Sequence, residues 1–272
     1  MKYSFLCPAT CNYEISVDAK NADEAVAKII KGSAVHGKQV HPDILSMTEE
    51  QLKNLVRSGM IKGWSTVKSL AGVGLAFWFV LVFLLGEKGA FVQPQQVPPF
   101  PILLGFTVPL VVFFAAYLGS EAFRALILGA DLRLLTATQA WRAGGLGFLA
   151  LYAHGVLPGL FAWPAGLGDI AIGVTAPWVA LALIRRPTFV ASPLFVVWNL
   201  LGIFDLVVAV GTGALSSGFV AGLAGEVTTG PMAQLPLVLI PAYFVPLFIM
   251  FHLTALFQSR RTLLPEAKPL GL

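Results

Sequence analysis

Charge is scarce in this chain. Only 12% of its 272 residues are charged, and its mean hydropathy is +0.79. Past Lys68 the stretches Ser69–Gly86, Gly89–Ser120, Ala143–Gly168, Ile170–Ile184, Pro187–Phe204, Leu206–Gly225 and Val227–Ser259 contain no Lys, Arg, Asp or Glu. A water-soluble domain needs polar helix faces, and these stretches cannot supply them. The absence excludes one large soluble core and makes lipid the solvent of this part. Cysteine is nearly absent too. The two present, Cys7 and Cys11, argue against a structural disulfide on a topology that puts them in a reducing cytoplasm. The first residues lack a long apolar run, so no signal peptide is expected and the first span serves as the insertion signal. Hydrolase elbow, phosphate loop, HExxH and dinucleotide fingerprint are all missing. Gly166-Leu-Gly168-Asp-Ile-Ala-Ile-Gly173 resembles a phosphate-binding glycine string only superficially, since it sits in a span with no preceding strand.

The charges that remain make topology readable. Beyond residue 61, Lys62, Lys68, Arg124, Arg133, Arg142, Arg185, Arg186, Arg260, Arg261 and Lys268 fall on one side of the expected spans, and Lys88 alone on the other. That positive-inside bias is expected to put both termini in the cytoplasm. Residues 1–61 carry seven basic and seven acidic side chains, so the net +4 comes from the membrane part. It reports orientation and gives no reason to expect nucleic acid. The predicted fold is an all-α polytopic bundle of six transmembrane helices, residues 62–260, with a small α+β domain over residues 1–61 and a cytoplasmic tail over 261–272. Spans are expected near 66–86, 100–119, 141–160, 164–184, 193–213 and 236–257. Residues 121–138 read as an amphipathic helix on the inner surface. Spans three and four form a tight hairpin around Trp163-Pro164. Gly155-x3-Gly159 reads as a small-xxx-small contact inside the bundle, with a homo-oligomer seam as the other possibility.

In the N-terminal part, residues 2–6 and 12–17 alternate apolar and polar, which predicts a hairpin turning at Cys7–Cys11. Asn21 and Glu24 cap a helix that carries His36 and His41 on nearly one face before Pro42 stops it. Thr48 caps a second helix running to about Ser58. A cysteine pair at a hairpin tip and a histidine pair late in a helix form the ββα arrangement of a tetrahedral zinc site, with Cys7, Cys11, His36 and His41 as ligands. A module of this size buries little apolar surface, and a structural metal would offset that. The alternative is two thiols and two surface histidines without an ion. Gly32 and Gly37 favour it if they break the helix before His41, and the 24-residue gap between Cys11 and His36 exceeds a standard finger.

These residues carry a resemblance. Lys2-Tyr3, Phe5, Cys7, Cys11, Tyr13-Glu14-Ile15, Asp23-Glu24-Ala25, His36, Val40-His41-Pro42-Asp43, Thr48-Glu49-Glu50-Gln51-Leu52 and Val56-Arg57-Ser58-Gly59-Met60 resemble a family of short bacterial zinc-finger-like domains of unknown function. Here three residues separate the cysteines, where two are usual. The resemblance implies a fold and zinc, and no reaction. Residues 62–260, Gln139–Arg142 through Gly168-Asp169 above all, resemble uncharacterised bacterial polytopic membrane proteins.

Polar residues inside lipid carry whatever chemistry the bundle has: His154, Asp169, Asn199, Asp205 and His252, with Arg142 at an inner helix end. Such groups are costly at depth and take a partner or water. Counting residues along α-helices places His154, Asp169 and Asp205 together in the outer half, about 18–24 Å from the inner ends. Asn199 and His252 fall in a lower layer. One imidazole between two carboxylates would bind a small cation or relay protons. It falls short of a tetrahedral metal site, and the two histidines stand too far apart in height to clasp haem iron. The expected function is a transporter- or channel-like membrane protein with a cytoplasmic metal-binding module. The competing reading is a scaffold or sensor whose zinc module recruits a partner and whose buried polar groups only lock helices. An intramembrane enzyme lacks a visible nucleophile and base.

Overall fold

The structure is a computed structural model and describes residues 2–7, 13–42, 46–62, 64–94, 96–220 and 226–263. The chain is mostly helical. It divides into two compact units, Met1–Leu75 with Ala116–Gly129, and Ala76–Ala115 with Ala130–Leu272.

The first unit holds β1 (Lys2–Leu6), β2 (Glu14–Asp18), α1 (Ala22–Val40), α2 (Glu49–Gly59), β3 (Met60–Lys62) and the start of α3 (Trp64–Glu87). Its sheet has the order β2-β1-β3 with both pairings antiparallel. The third strand turns the expected ββα-plus-helix pattern into β-β-α-α-β. Asn21 accepts the Glu24 N–H at 2.9 Å and starts α1. Thr48 and Gln51 form a complete capping box on α2. Gly32 and Gly37 do not interrupt α1, which reaches Val40 and keeps His36 on the helix. Phe5, Val26, Ile29 and Val56 make the core. Asp23 and Arg57 pair between α1 and α2, and Lys68 pairs with Glu14. Residues 116–129 contribute the end of α4 (Phe100–Gly119) and α5 (Glu121–Leu128), capped by Ser120. Arg124 donates to the Tyr117 and Leu118 carbonyls at 3.2 and 3.0 Å, satisfying the end of α4.

The second unit contains the rest of α3 and α4, then α6 (Leu132–Thr138), a 3-10 segment (Gln139–Gly145), α7 (Leu146–Ala153), α8 (Gly159–Arg185), α9 (Pro193–Leu215), a π segment (Ile240–Phe244) and α10 (Val245–Leu263). Among the described residues five helices are long and apolar enough to cross a membrane: Val67–Glu87, Phe100–Gly119, Gly159–Arg185, Pro193–Leu215 and Ile240–Arg261. They expose side chains that only lipid would solvate, such as Phe77 at 66% and Trp178 at 68%.

The predicted span 141–160 is different. Asp131 caps α6 by accepting the Arg133 N–H at 2.9 Å. The chain then stays helical through the 3-10 segment to Ala153. The turn comes at His154–Pro158, where Gly155 has φ +69°. The expected hairpin at Trp163-Pro164 is therefore corrected: both residues lie inside α8. Gly155-x3-Gly159 is likewise no helix-packing contact, since Gly155 makes the turn and Gly159 opens α8. The predicted surface helix 121–138 is two helices broken at Gly129–Asp131. Leu206, Val245, Phe248 and Ile249 form one packed core, and Leu183, Phe195 and Ala255 another nearer the ends bearing arginine.

Candidate functional site

The bundle closes around Arg142. The backbone of the 3-10 segment runs directly against α8: a Cβ at Gly173 would fall 2.7 Å from the Arg142 carbonyl carbon, and one at Gly145 would fall 2.8 Å from the Gly166 carbonyl oxygen. Only glycine permits this approach. It places Arg142 in the interior, 2% exposed, with α8, α9 and α10 within reach of its side chain. Its Nε donates to Asp169 Oδ1 on α8 at 2.7 Å. Its Nη2 donates to Asp205 Oδ2 on α9. Its Nη1 donates to the Gly202 carbonyl at 3.3 Å and lies 3.2 Å from His252 Nε2 on α10. Glycine recurs here as well. A Cβ on Gly168 would collide with the Asp205 carboxylate, and one on Gly202 with the His252 ring.

Guanidinium only donates, which fixes the tautomer of His252. Nε2 must accept from Arg142, so Nδ1 carries the proton and donates to Asn199 Oδ1 at 2.9 Å. Asn199 in turn donates to the Phe195 carbonyl at 2.8 Å. Trp198 and the imidazole meet in a T-shaped arrangement, 5.4 Å between centroids, and the indole N–H donates to Thr175 Oγ1 at 2.9 Å. His252 is thus a neutral ring in this network. One guanidinium faces two carboxylates, so the ionised triad carries a net charge of −1.

The structure brings Arg142, Asp169, Asp205, Asn199 and His252 into one network. It leaves His154 out. That histidine is exposed at the C-cap of α7, and no hydrogen bond joins it to the other five residues' side chains among those described. The expected convergence of His154 with the two aspartates is replaced by convergence on Arg142. The two expected layers are one. The height count went astray because Arg142 is not at an inner helix end. Its backbone lies beside Gly173, about 18 Å along α8 from Arg185.

Sequence reasoning missed Gln139. It precedes Arg142 by one 3-10 turn, on the same edge. It is 1% exposed, and both atoms of its amide are buried without a hydrogen bond to a described residue. The spacing of three from Arg142 was the available signal.

Two cavities reach the triad, both within the second unit. One, about 240 Å³, lies between the 3-10 segment with α7 and the π segment with α10. The other, about 80 Å³, runs toward residues 91–94 and 97–99, the end of α9 with Ser217, and residues 229–233; beside it the Gln96 N–H donates to the Gly218 carbonyl at 3.1 Å. Asp169 lies in the wall of both.

In the first unit, Cys7, His36 and His41 come together, with one potential ligand atom from each all within 4.8 Å of one another. Cys7 Sγ and His41 Nε2 are 3.5 Å apart, close to the roughly 3.6 Å edge of a tetrahedron built on zinc–nitrogen and zinc–sulfur bonds. Tyr13 stacks on His36 at 3.8 Å and orients its ring. The donor set and spacing fit zinc. Cys11, the fourth predicted ligand, lies outside the described residues. Outside the membrane segments, Asp131 has its carboxyl held below the ordinary value by its hydrogen bonds to Arg133, whose guanidinium engages both oxygens at 3.0 and 2.9 Å.

A family model described as "Domain of unknown function (DUF8737)" matches residues 99–259, which takes in every member of the Arg142 network. The match leaves residues 1–60 uncovered. No curated protein and no solved structure matches the chain.

Proposed function

We infer the role of this chain, which belongs to the DUF8737 family of domains of unknown function, from its own side chains: a multi-pass membrane protein of transporter type that binds a proton or small cation at Arg142, Asp169 and Asp205. The observation that carries this reading is the position of Asp169. It is engaged by Arg142 and also lines two cavities. A carboxylate kept only to lock helices would be sealed. The triad's single negative charge is costly at this depth, and one bound proton or monovalent cation neutralises it. Exchange of that positive charge between the two cavities is the elementary transport step.

The topology that suits this role has six crossings and both termini in the cytoplasm of a bacterial inner membrane. The third crossing is the helical run Leu132–Ala153. Its 3-10 stretch rises about 2.0 Å per residue, so the run reaches roughly 37 Å, enough for a hydrocarbon core of about 30 Å. The basic residues at the cytoplasmic ends supply the orientation. The N-terminal module holds one zinc through Cys7, Cys11, His36 and His41 and acts as a regulatory or recruiting domain. Zinc there fixes the hairpin and the end of α1 to each other. Elemental analysis of the full-length protein should give about one zinc per chain, falling below half for Cys7→Ser.

Reconstituted vesicles test the transport reading. Under a potassium diffusion potential, an entrapped pH dye should report proton uptake above that of empty vesicles, and Asp169→Asn and Asp205→Asn should abolish it while eluting as folded protein. Wild-type vesicles no leakier than empty ones, with both variants merely less heat-stable, would return the cluster to a helix-locking role in a scaffold.

A further inference from the structure

The two cavities differ in surroundings. Among the described residues, Arg142 and Asp169 are the only charged side chains in the larger one. The rest of its wall is apolar, with Phe148, Phe244 and Phe248 prominent. Trp141 lines it too and is 76% exposed, so this cavity meets the helix surface that faces lipid. The smaller cavity has Asp169 as its only charge among the described residues, walls that include Phe91 and Phe161, and hydroxyls of Ser217 and Thr229 toward its loop end. The cavities share Phe148, Asp169, Leu206, Ile240 and Val245. They therefore meet at one carboxylate ringed by aromatic and aliphatic groups.

This chemistry selects its occupant. A small hydrated ion gains nothing from apolar walls. An anion is repelled by a triad of net charge −1. A neutral hydrophobe leaves that charge uncompensated. A cation with an apolar body is matched: its charge by the triad's net −1, presented to the cavities at Asp169, its faces by phenylalanine π-systems, its bulk by burial. We propose that the substrate of this site is a lipophilic organic monocation, which enters from the bilayer past Trp141, is held against Asp169, and leaves by the cavity at the loop end. The proposal rests on the transporter reading above and names what is carried in exchange for the proton.

Tetraphenylphosphonium is the probe. Full-length protein in detergent should bind it saturably in equilibrium dialysis, about one per chain. Asp169→Asn should raise the dissociation constant at least tenfold, and Phe148→Ala severalfold. His154→Ala, outside the site, should leave it unchanged. Tetraphenylborate has the same bulk and the opposite charge, and should not compete. Folded wild-type protein without saturable binding overturns the inference, and so does equal competition by tetraphenylborate. If Asp169→Asn fails to elute as folded protein, Phe148→Ala and the borate competition decide. Proton flux without phosphonium binding sinks this inference and spares the proton reading. Phosphonium binding without proton flux does the reverse.

Discussion

Arg142→Met is the most direct assault on the bundle. The wild-type guanidinium holds Asp169, Asp205, the Gly202 carbonyl and His252 at once, and is 2% exposed. Methionine fills a similar volume and supplies no donor. Two carboxylates are then left close together at depth with no cation between them, and the imidazole loses its donor. Removing one member of a buried ion pair costs about 3–5 kcal/mol. For a chain of this size each kcal/mol is worth about 2–4 °C, so Tm should fall by roughly 6–20 °C. Melting in detergent, followed by tryptophan fluorescence with size-exclusion controls, reads this out. The triple variant Arg142→Met, Asp169→Asn, Asp205→Asn removes the stranded charges and should recover at least half of the loss. Arg142→Lys should fall between, because a point charge cannot span two helices as a fork does. A single Arg142→Met variant within about 2 °C of wild type, or a triple variant no better than the single one, would refute the claim that Arg142 clamps α8, α9 and α10.

Three further expectations follow from local geometry. Gly168→Ala and Gly202→Ala put a methyl onto the Asp205 carboxylate and the His252 ring, and should each cost about 1–3 kcal/mol by thermal melting. Gly144→Ala meets no described residue within 4 Å and should change stability by less than about 0.5 kcal/mol. Asp131→Ala removes the cap of α6 and should cost about 1 kcal/mol. Because the folded carboxyl sits below its ordinary value, that contribution is complete above the ordinary carboxylate pKa and fades as pH falls through the lower folded one. Melting of wild type and Asp131→Ala across an acid series should therefore converge at the low end. Reporter fusions at Met1 and Leu272 should both read cytoplasmic, and fusions at Gly129 and Gly155 should read opposite sides. Agreement between the last two would remove the crossing by Leu132–Ala153.

Membrane character was legible in the charge-free runs, and the first, second, fourth, fifth and sixth expected spans overlap long apolar helices. The caps at Asn21 and Thr48 were legible, because each short polar side chain has a Glu or Gln three residues on. β3 was not, because three residues carry no alternation. Its pairing with β1 is a tertiary event. The chemistry of the bundle was half legible. Depth and cost singled out Asp169, Asp205, Asn199 and His252 as polar residues needing partners. Which partner they take depends on a side chain about 6 Å long reaching across helices, and a count of helical rise cannot see that. His154 was misplaced for a related reason. An exposed residue at the end of α7 has the same sequence surroundings as a buried one, and only the turn at Gly155 tells them apart.

The 3-10 segment also sets an angular phase. Buried positions recur there at a strict spacing of three: Thr136, Gln139, Arg142, Gly145 and Phe148. On an α-helix such a row would wind around the barrel, since each step of three falls about 60° short of a full turn. At three residues per turn the row stands straight through the middle of the run, and one edge stays turned inward. Over seven residues the two windings diverge by about 140°. The segment therefore decides which faces of α6 and α7 look inward together. Rewinding it as an α-helix would rotate one end against the other by more than a third of a revolution. Arg142 keeps its aim at two helices only while that phase is held.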